Sequence, residues 1–90
     1  MLHPAVPNPF NPNTTLRIDL AREGVVSLDI VDARGRRVRS LMRAGRVAAG
    51  EHRVVWDGRD DRGQRVASGV YEARLHADGS IWTRRLTLLK

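Results

Sequence analysis

From Thr14 onward the chain alternates. Leu16, Ile18 and Leu20 fall on one side of an extended backbone, with Thr15, Arg17 and Asp19 on the other. This period of two is the signature of a half-buried strand. Arg22-Glu23-Gly24 turns the chain, and Val26, Leu28 and Ile30 repeat the pattern with Ser27 and Asp29 outward. Asp32-Ala33-Arg34-Gly35 fits a type I turn closing on a glycine at positive φ, a common hairpin connection. A third strand is predicted from about Arg36 to Met42, with Val38 and Met42 inward and Leu41 breaking the alternation. Ala44 to Gly50 reads as a small-residue loop. His52, Val54 and Trp56 then alternate inward against Arg53 and Val55. After a polar loop, Tyr71, Ala73 and Leu75 alternate against Glu72, Arg74 and His76. Asp78-Gly79 is a two-residue type I′ hairpin signal. The last strand is predicted from Ser80 to Lys90, with Leu86 and Leu88 inward and Trp82 over one end of the core.

No stretch carries an apolar period of 3.6. Strands recurring roughly every 10 residues with turns between them predict an all-β sandwich or barrel. The hairpin pairings follow from the turns, and the remaining pairings stay open. Ahead of the strands, residues 3–13 hold all four prolines. Proline fixes φ, removes a donor and pushes its predecessor out of the helical region. Residues 1–13 therefore read as an extended, turning lead-in, with Phe10 the one side chain able to pin it to the core, and residues 14–90 as a single domain.

Composition narrows the function classes. Ninety residues suffice for one domain with a small, compact core. Cysteine is absent, so disulfides and thiolate metal sites play no part. No apolar run approaches the roughly 18 residues that span a bilayer. Met1-Leu2-His3-Pro4 lacks the basic and apolar regions of a signal peptide. The net charge is +6, and arginine supplies 15 of the 16 basic residues.

Arg34, Arg36, Arg37 and Arg39, with Arg43 and Arg46, form a run without an acid and are candidate anion contacts. The plainer reading is an edge strand kept from sticking by its charge. Nucleic acid is disfavoured, because single strands are usually held on aromatic platforms, and the run contains no aromatic residue.

Three further constellations bear on chemistry. Asp57, Asp60 and Asp61 lie beside Gly58 and Gly63, and calcium favours carboxylates on a tight loop. Their spacing departs from the EF-hand pattern, and aspartates in such loops commonly accept backbone N–H groups as Asx turns. A hydrolytic set is not supported. Ser68 lacks the flanks of a nucleophile elbow, and His3, His52 and His76 are scattered. Trp56, Tyr71 and Trp82 could stack on sugars if exposed together, but Trp56 and Tyr71 alternate inward. The sequence therefore predicts no catalytic residue and no cofactor.

Pro7-Asn8-Pro9-Phe10-Asn11-Pro12 resembles the opening of the C-terminal sorting domains of type IX secretion substrates. Ile30 to Val38 resembles that family's Y/V-D-x-x-G-R-x-V motif, with Val31 where tyrosine is frequent. Ala49-Gly50, Val54 to Gly58, Ala67-Ser68-Gly69-Val70-Tyr71 and Arg85 to Lys90 continue the likeness, which covers about residues 7–90. The Trp-Asp-Gly-x-Asp-x-x-Gly and Ser-Gly-Val-Tyr portions are also similar to the immunoglobulin-like domain of the flagellar hook-capping protein.

The resemblance implies an immunoglobulin-like antiparallel β-sandwich of about six to seven strands. It further implies a non-catalytic module of a larger protein that is secreted or displayed at the cell surface by way of the periplasm. Such a module would be read by a secretion translocon or a sortase-like protein, with anionic lipopolysaccharide a further partner. The matching signal positions would be Gly35, Gly69, Tyr71, Leu86, Leu88, Leu89 and Lys90. The isolated domain is expected to be monomeric. The alternatives are an assembly module of a flagellar hook cap or surface protein, and a basic anion-binding module.

Overall fold

The alternating segments become six strands: β1 (Thr14–Leu20), β2 (Gly24–Val31), β3 (Arg37–Val47), β4 (Gly50–Trp56), β5 (Gly69–Ala77) and β6 (Ser80–Leu88). The computed structural model describes residues 1–90. β1 and β4 pair antiparallel in one sheet, and the other runs β3-β2-β5-β6, also antiparallel throughout. The two sheets face each other as an all-β, immunoglobulin-type sandwich. No helix in it is long and apolar enough to cross a membrane.

The core is the set of inward positions read from the alternation. Leu16 and Ile18 from β1, Leu28 and Ile30 from β2, Trp56 from β4, Ala73 and Leu75 from β5 and Leu86 from β6 are fully excluded from solvent. The Asp78-Gly79 hairpin forms with both residues at positive φ, 52° and 71°, as a type I′ turn requires. Trp82 packs half-buried against the core opposite Leu75.

Three expectations are corrected. β3 continues to Val47, so the loop expected from Ala44 to Gly50 shrinks to Ala48 and Ala49. The cause lies in its register with β2, which slips between Val26 and Leu28, between Leu28 and Asp29, and between Ile30 and Val31. Each slip leaves an extra residue on β3, a β-bulge that bends the strand and increases its twist. Leu41 sits at one of these bulges, which is why it and Met42 both pack against the core and break the period of two.

The lead-in is anchored by more than Phe10, since Leu2 and Ala5 are buried as well. It bridges antiparallel to β1 at Leu2–Ile18 and Val6–Thr15, then crosses to the other sheet, where Phe10 bridges parallel to Leu88. Finally, β6 ends at Leu88, leaving Leu89 and Lys90 beyond the strand.

Trp56 organises one end of the sandwich. Its ring lies 5.5 Å from that of Phe10 and 5.3 Å, edge-on, from that of Tyr71. The indole Nε1 donates to the Arg59 carbonyl oxygen at 2.9 Å, and the Tyr71 hydroxyl donates to that of Ala67 at 2.6 Å. A tyrosine at the start of a strand bonding back to the chain a few residues upstream is the tyrosine corner of immunoglobulin-like sandwiches. Burial pushes the Tyr71 phenol above its ordinary pKa, and the Asp32 carboxylate adds to the effect.

Candidate recognition site

The loop between β4 and β5 carries the chemistry that the sequence advertises, and it uses that chemistry on itself. Asp57 Oδ1 accepts the Arg59 backbone N–H, and Asp60 Oδ1 accepts those of Arg62 and Gln64. These are the Asx turns that short acids form with the chain ahead of them. Asp61 reaches sideways: its Oδ1 accepts the Ser40 N–H at 2.9 Å, and its own N–H donates to the Val38 carbonyl at 3.0 Å. The loop thereby pairs with the outer edge of β3. The three carboxylates do not converge, and no three metal-ligating side chains gather anywhere in the chain.

Two arginines of the run meet those same acids, and a third meets the Asp32 turn. Arg36 pairs with Asp32 at 3.3 Å, Arg37 with Asp61 at 3.7 Å, and Arg39 with Asp57 at 3.3 Å. Arg39 also donates to the Arg59 carbonyl. Between the Asp32 turn and the loop lies an open hollow of about 410 Å³ lined by both signs, Arg36 and Arg37 against Asp60 and Asp61. Surface pairs of this kind contribute about 1 kcal/mol or less each. Part of the candidate anion strip, Arg37 and Arg39, is thus held by the candidate metal loop. Within the strip, Arg34 and Arg43 make no ion pair, and Arg46 pairs with Glu23 instead.

A second cluster joins the two ends of the chain. The Asn8 side chain donates through Nδ2 to the Arg85 carbonyl at 2.9 Å and accepts the Thr87 N–H at Oδ1, also at 2.9 Å. An amide side chain offers the same donor and acceptor as a peptide, so Asn8 stands in for a neighbouring strand. Phe10 continues the ladder, its N–H donating to Thr87 O at 2.9 Å and its carbonyl accepting from Leu89 N–H at 3.0 Å. The Lys90 N–H then reaches Ser68 Oγ at 3.1 Å. The outer edge of β6 is closed in this way from Arg85 to Leu89. Sequence reasoning places Asn8 in a turning lead-in and both Asn8 and Ser68 in motif resemblances, and assigns neither side chain a structural role. The available signal is an amide with a proline on each side, where no regular strand can supply donors.

All seven expected signal positions lie at this end. Gly35 closes the β2–β3 turn, its N–H donating to Asp32 O at 2.9 Å. Gly69 is paired with Leu88 and Tyr71 with Leu86 across β5 and β6. Val31, Asp32, Gly35, Tyr71 and Arg85 line one shallow hollow of about 270 Å³. Their exposure divides them. Tyr71, Leu86 and Leu88 belong to the core, while Gly35, Leu89 and Lys90 face solvent. Arg34, Arg62, Arg65, Arg85 and Lys90 add positive charge here without an acidic partner.

The sequence model of the FlgD Ig-like domain family matches residues 11–80. The chain belongs to that family. Among solved structures, this FlgD-type Ig-like domain is similar to PorZ of Porphyromonas gingivalis, described as an essential bacterial surface component of the type-IX secretion system. The likeness has a TM-score of 0.67 at 22% identity and shows a shared fold. It covers 99% of this chain but only 11% of PorZ. No curated protein matches the chain in sequence.

Proposed function

We propose that this Ig-like domain is a non-catalytic sorting and anchoring module of a larger exported protein, read at the cell envelope by a type IX-like secretion machinery. The observation that carries the reading is the seam. The two segments that resemble sorting-domain signatures, Pro7 to Pro12 and Arg85 to Lys90, lie at opposite ends of the sequence yet hydrogen-bond into one unit. The fold likeness to a type IX surface component supports the same reading. The buried Leu86 and Leu88 hold the last strand in place, while Gly35, Leu89, Lys90 and the unpaired Arg85 supply the surface that a translocon or sortase-like protein contacts.

Fusing the domain behind a periplasmic reporter in a type IX-competent host tests this. The intact domain carries the reporter to the cell surface or medium, and removal of Leu89 and Lys90 strands it in the periplasm. A reporter that stays periplasmic with the intact domain overturns the proposal.

A second reading, contact with anionic lipopolysaccharide, draws on the cations that have no acidic partner at this end. It moves the anion contact from the Arg34–Arg39 strip toward Arg62, Arg65, Arg85 and Lys90. Binding should fall steeply with salt, and salt-indifferent binding rejects it.

A further inference from the structure

The edges of the sandwich are treated unequally. The outer edge of β1 is covered by the lead-in, through His3 N–H to Arg17 O, Val6 and Thr15 exchanging both bonds, and Asp19 N–H to Met1 O. The outer edge of β3 is bulged and capped by Asp61. The edge of β6 is closed from Arg85 to Leu89, and its open remainder presents Ile81 and Thr83, which carry no charge.

β4 differs from all of these. It is seven residues long, contains no proline and keeps unbroken register with β1. Because Thr15, Arg17 and Asp19 direct their backbone groups toward the lead-in, it is Thr14, Leu16, Ile18 and Leu20 that bond to β4, at Trp56, Val54, His52 and Gly50. The N–H and C=O groups of Glu51, Arg53 and Val55 are left along an open edge, and all three residues are exposed. Such an edge is a template for another strand.

We propose that this edge pairs with the same edge of a second copy of the chain, antiparallel and centred on His52. Charge selects the occupant and the register. Centring on His52 sets Glu51 opposite Arg53 twice, both at hydrogen-bonding positions. Centring on Arg53 sets two arginines face to face, and centring on Val54 sets Glu51 against Asp57. Opposite charges directly across a sheet stabilise it and like charges destabilise it. Within one copy Glu51 already bonds Arg53 at 2.6 Å and Arg17 at 3.3 Å. The second copy extends that row of alternating charge on the outer face. The product is one continuous sheet through two sandwiches, with a self-complementary two-fold interface.

Sedimentation equilibrium tests the pairing. The chain should show a monomer–dimer equilibrium at concentrations up to about 1 mM. Arg53→Glu and Glu51→Arg, both at exposed positions, should each weaken it about tenfold by placing like charges opposite one another. Mixing the two variants should restore association, because each then meets the opposite sign. The double variant Glu51→Arg/Arg53→Glu should dimerise like the parent, and it serves as the second readout should either single variant fold poorly. A parent chain that is monomeric throughout overturns the proposal. So do single reversals that associate as well as the parent, or a mixture no better than its components.

Discussion

Between Asp57 and Val66 the chain is crowded with charge, whereas the seam of Asn8 to Pro12 against Arg85 to Lys90 contains no acid at all. The two regions touch at Gly58, whose α-carbon faces the Pro12 carbonyl and the Leu88 side chain. In the corner loop the carboxylates are short, local acceptors that fix turns a few residues long and cap the edge of β3. In the seam an uncharged amide and a buried ring join segments almost 80 positions apart. Residues with conspicuous chemistry are spent on local shape, and inconspicuous ones carry the long-range order. The loop should therefore tolerate change that the seam does not.

The largest expected effect lies in the seam. Phe10→Ala removes a ring that is 2% exposed and packed on Trp56, and should cost about 3–5 kcal/mol. Urea unfolding measures this, and hydrogen exchange at Thr87 and Leu89 should accelerate before that of the central β2 and β5 amides. Uniform acceleration would show that the seam does not open separately. Gly58→Ala strikes the junction. Its φ is 74°, and an added Cβ would stand 3.2 Å from the Pro12 oxygen. A loss of about 1–3 kcal/mol is expected from the left-handed backbone and the crowding together. Both the seam and the corner should loosen, and a change confined to the loop would deny the junction its role.

Asp60→Ala and Asn8→Ala compare the regions at equal chemical scale. Each removes two hydrogen bonds to main chain, those from Arg62 and Gln64 in one case and those with Arg85 and Thr87 in the other. Each should cost about 1–2 kcal/mol. Exchange should report the first only at loop amides, and the second along the end of β6. If Asp60→Ala also frees β6, the two regions are a single unit.

How far the sequence discloses these regions follows from the forces that build them. The sheet interiors are legible because burial on one face imposes a period of two, and Leu16 to Leu20 and Tyr71 to Leu75 obey it without a break. β3 is less legible because each bulge shifts the phase, so Leu41 looks like an error until its register with β2 is known. The lead-in conceals Leu2 and Ala5, because prolines erase periodicity while leaving the segment free to pack. Of the candidate site, the glycines and terminal leucines can be named from motif resemblance, but their gathering at one end depends on the β5–β6 pairing and the Asn8 bridge. The acids and arginines are plainly visible as charge. Their mutual pairing is not, since Arg39 meets Asp57 only once β3 and the corner loop are side by side.

The smallest effect is a pH dependence, and it extends the comparison to the neighbouring turn. Asp32 behaves as the loop aspartates do, accepting the backbone N–H groups of Arg36 and Arg34 at one oxygen. The Arg36 N–H bond holds its carboxyl below the usual value, and the Arg34 N–H and the Arg36 charge act in the same direction. A carboxyl with a depressed pKa in the folded state adds stability that is complete above its unfolded pKa and is lost as pH falls through the folded one. The contribution should be present at neutral pH and should fade below about pH 4. Asp32→Asn keeps an acceptor oxygen for the turn but cannot titrate, so its unfolding midpoint should fall less steeply than the parent's over that range. Because Asp32 is partly open to solvent and paired with the exposed Arg36, added salt should diminish the difference between the two chains. Parallel acid profiles would show that the turn is held by its geometry alone, and that its acid, unlike those spent on the corner loop, is dispensable as a charge.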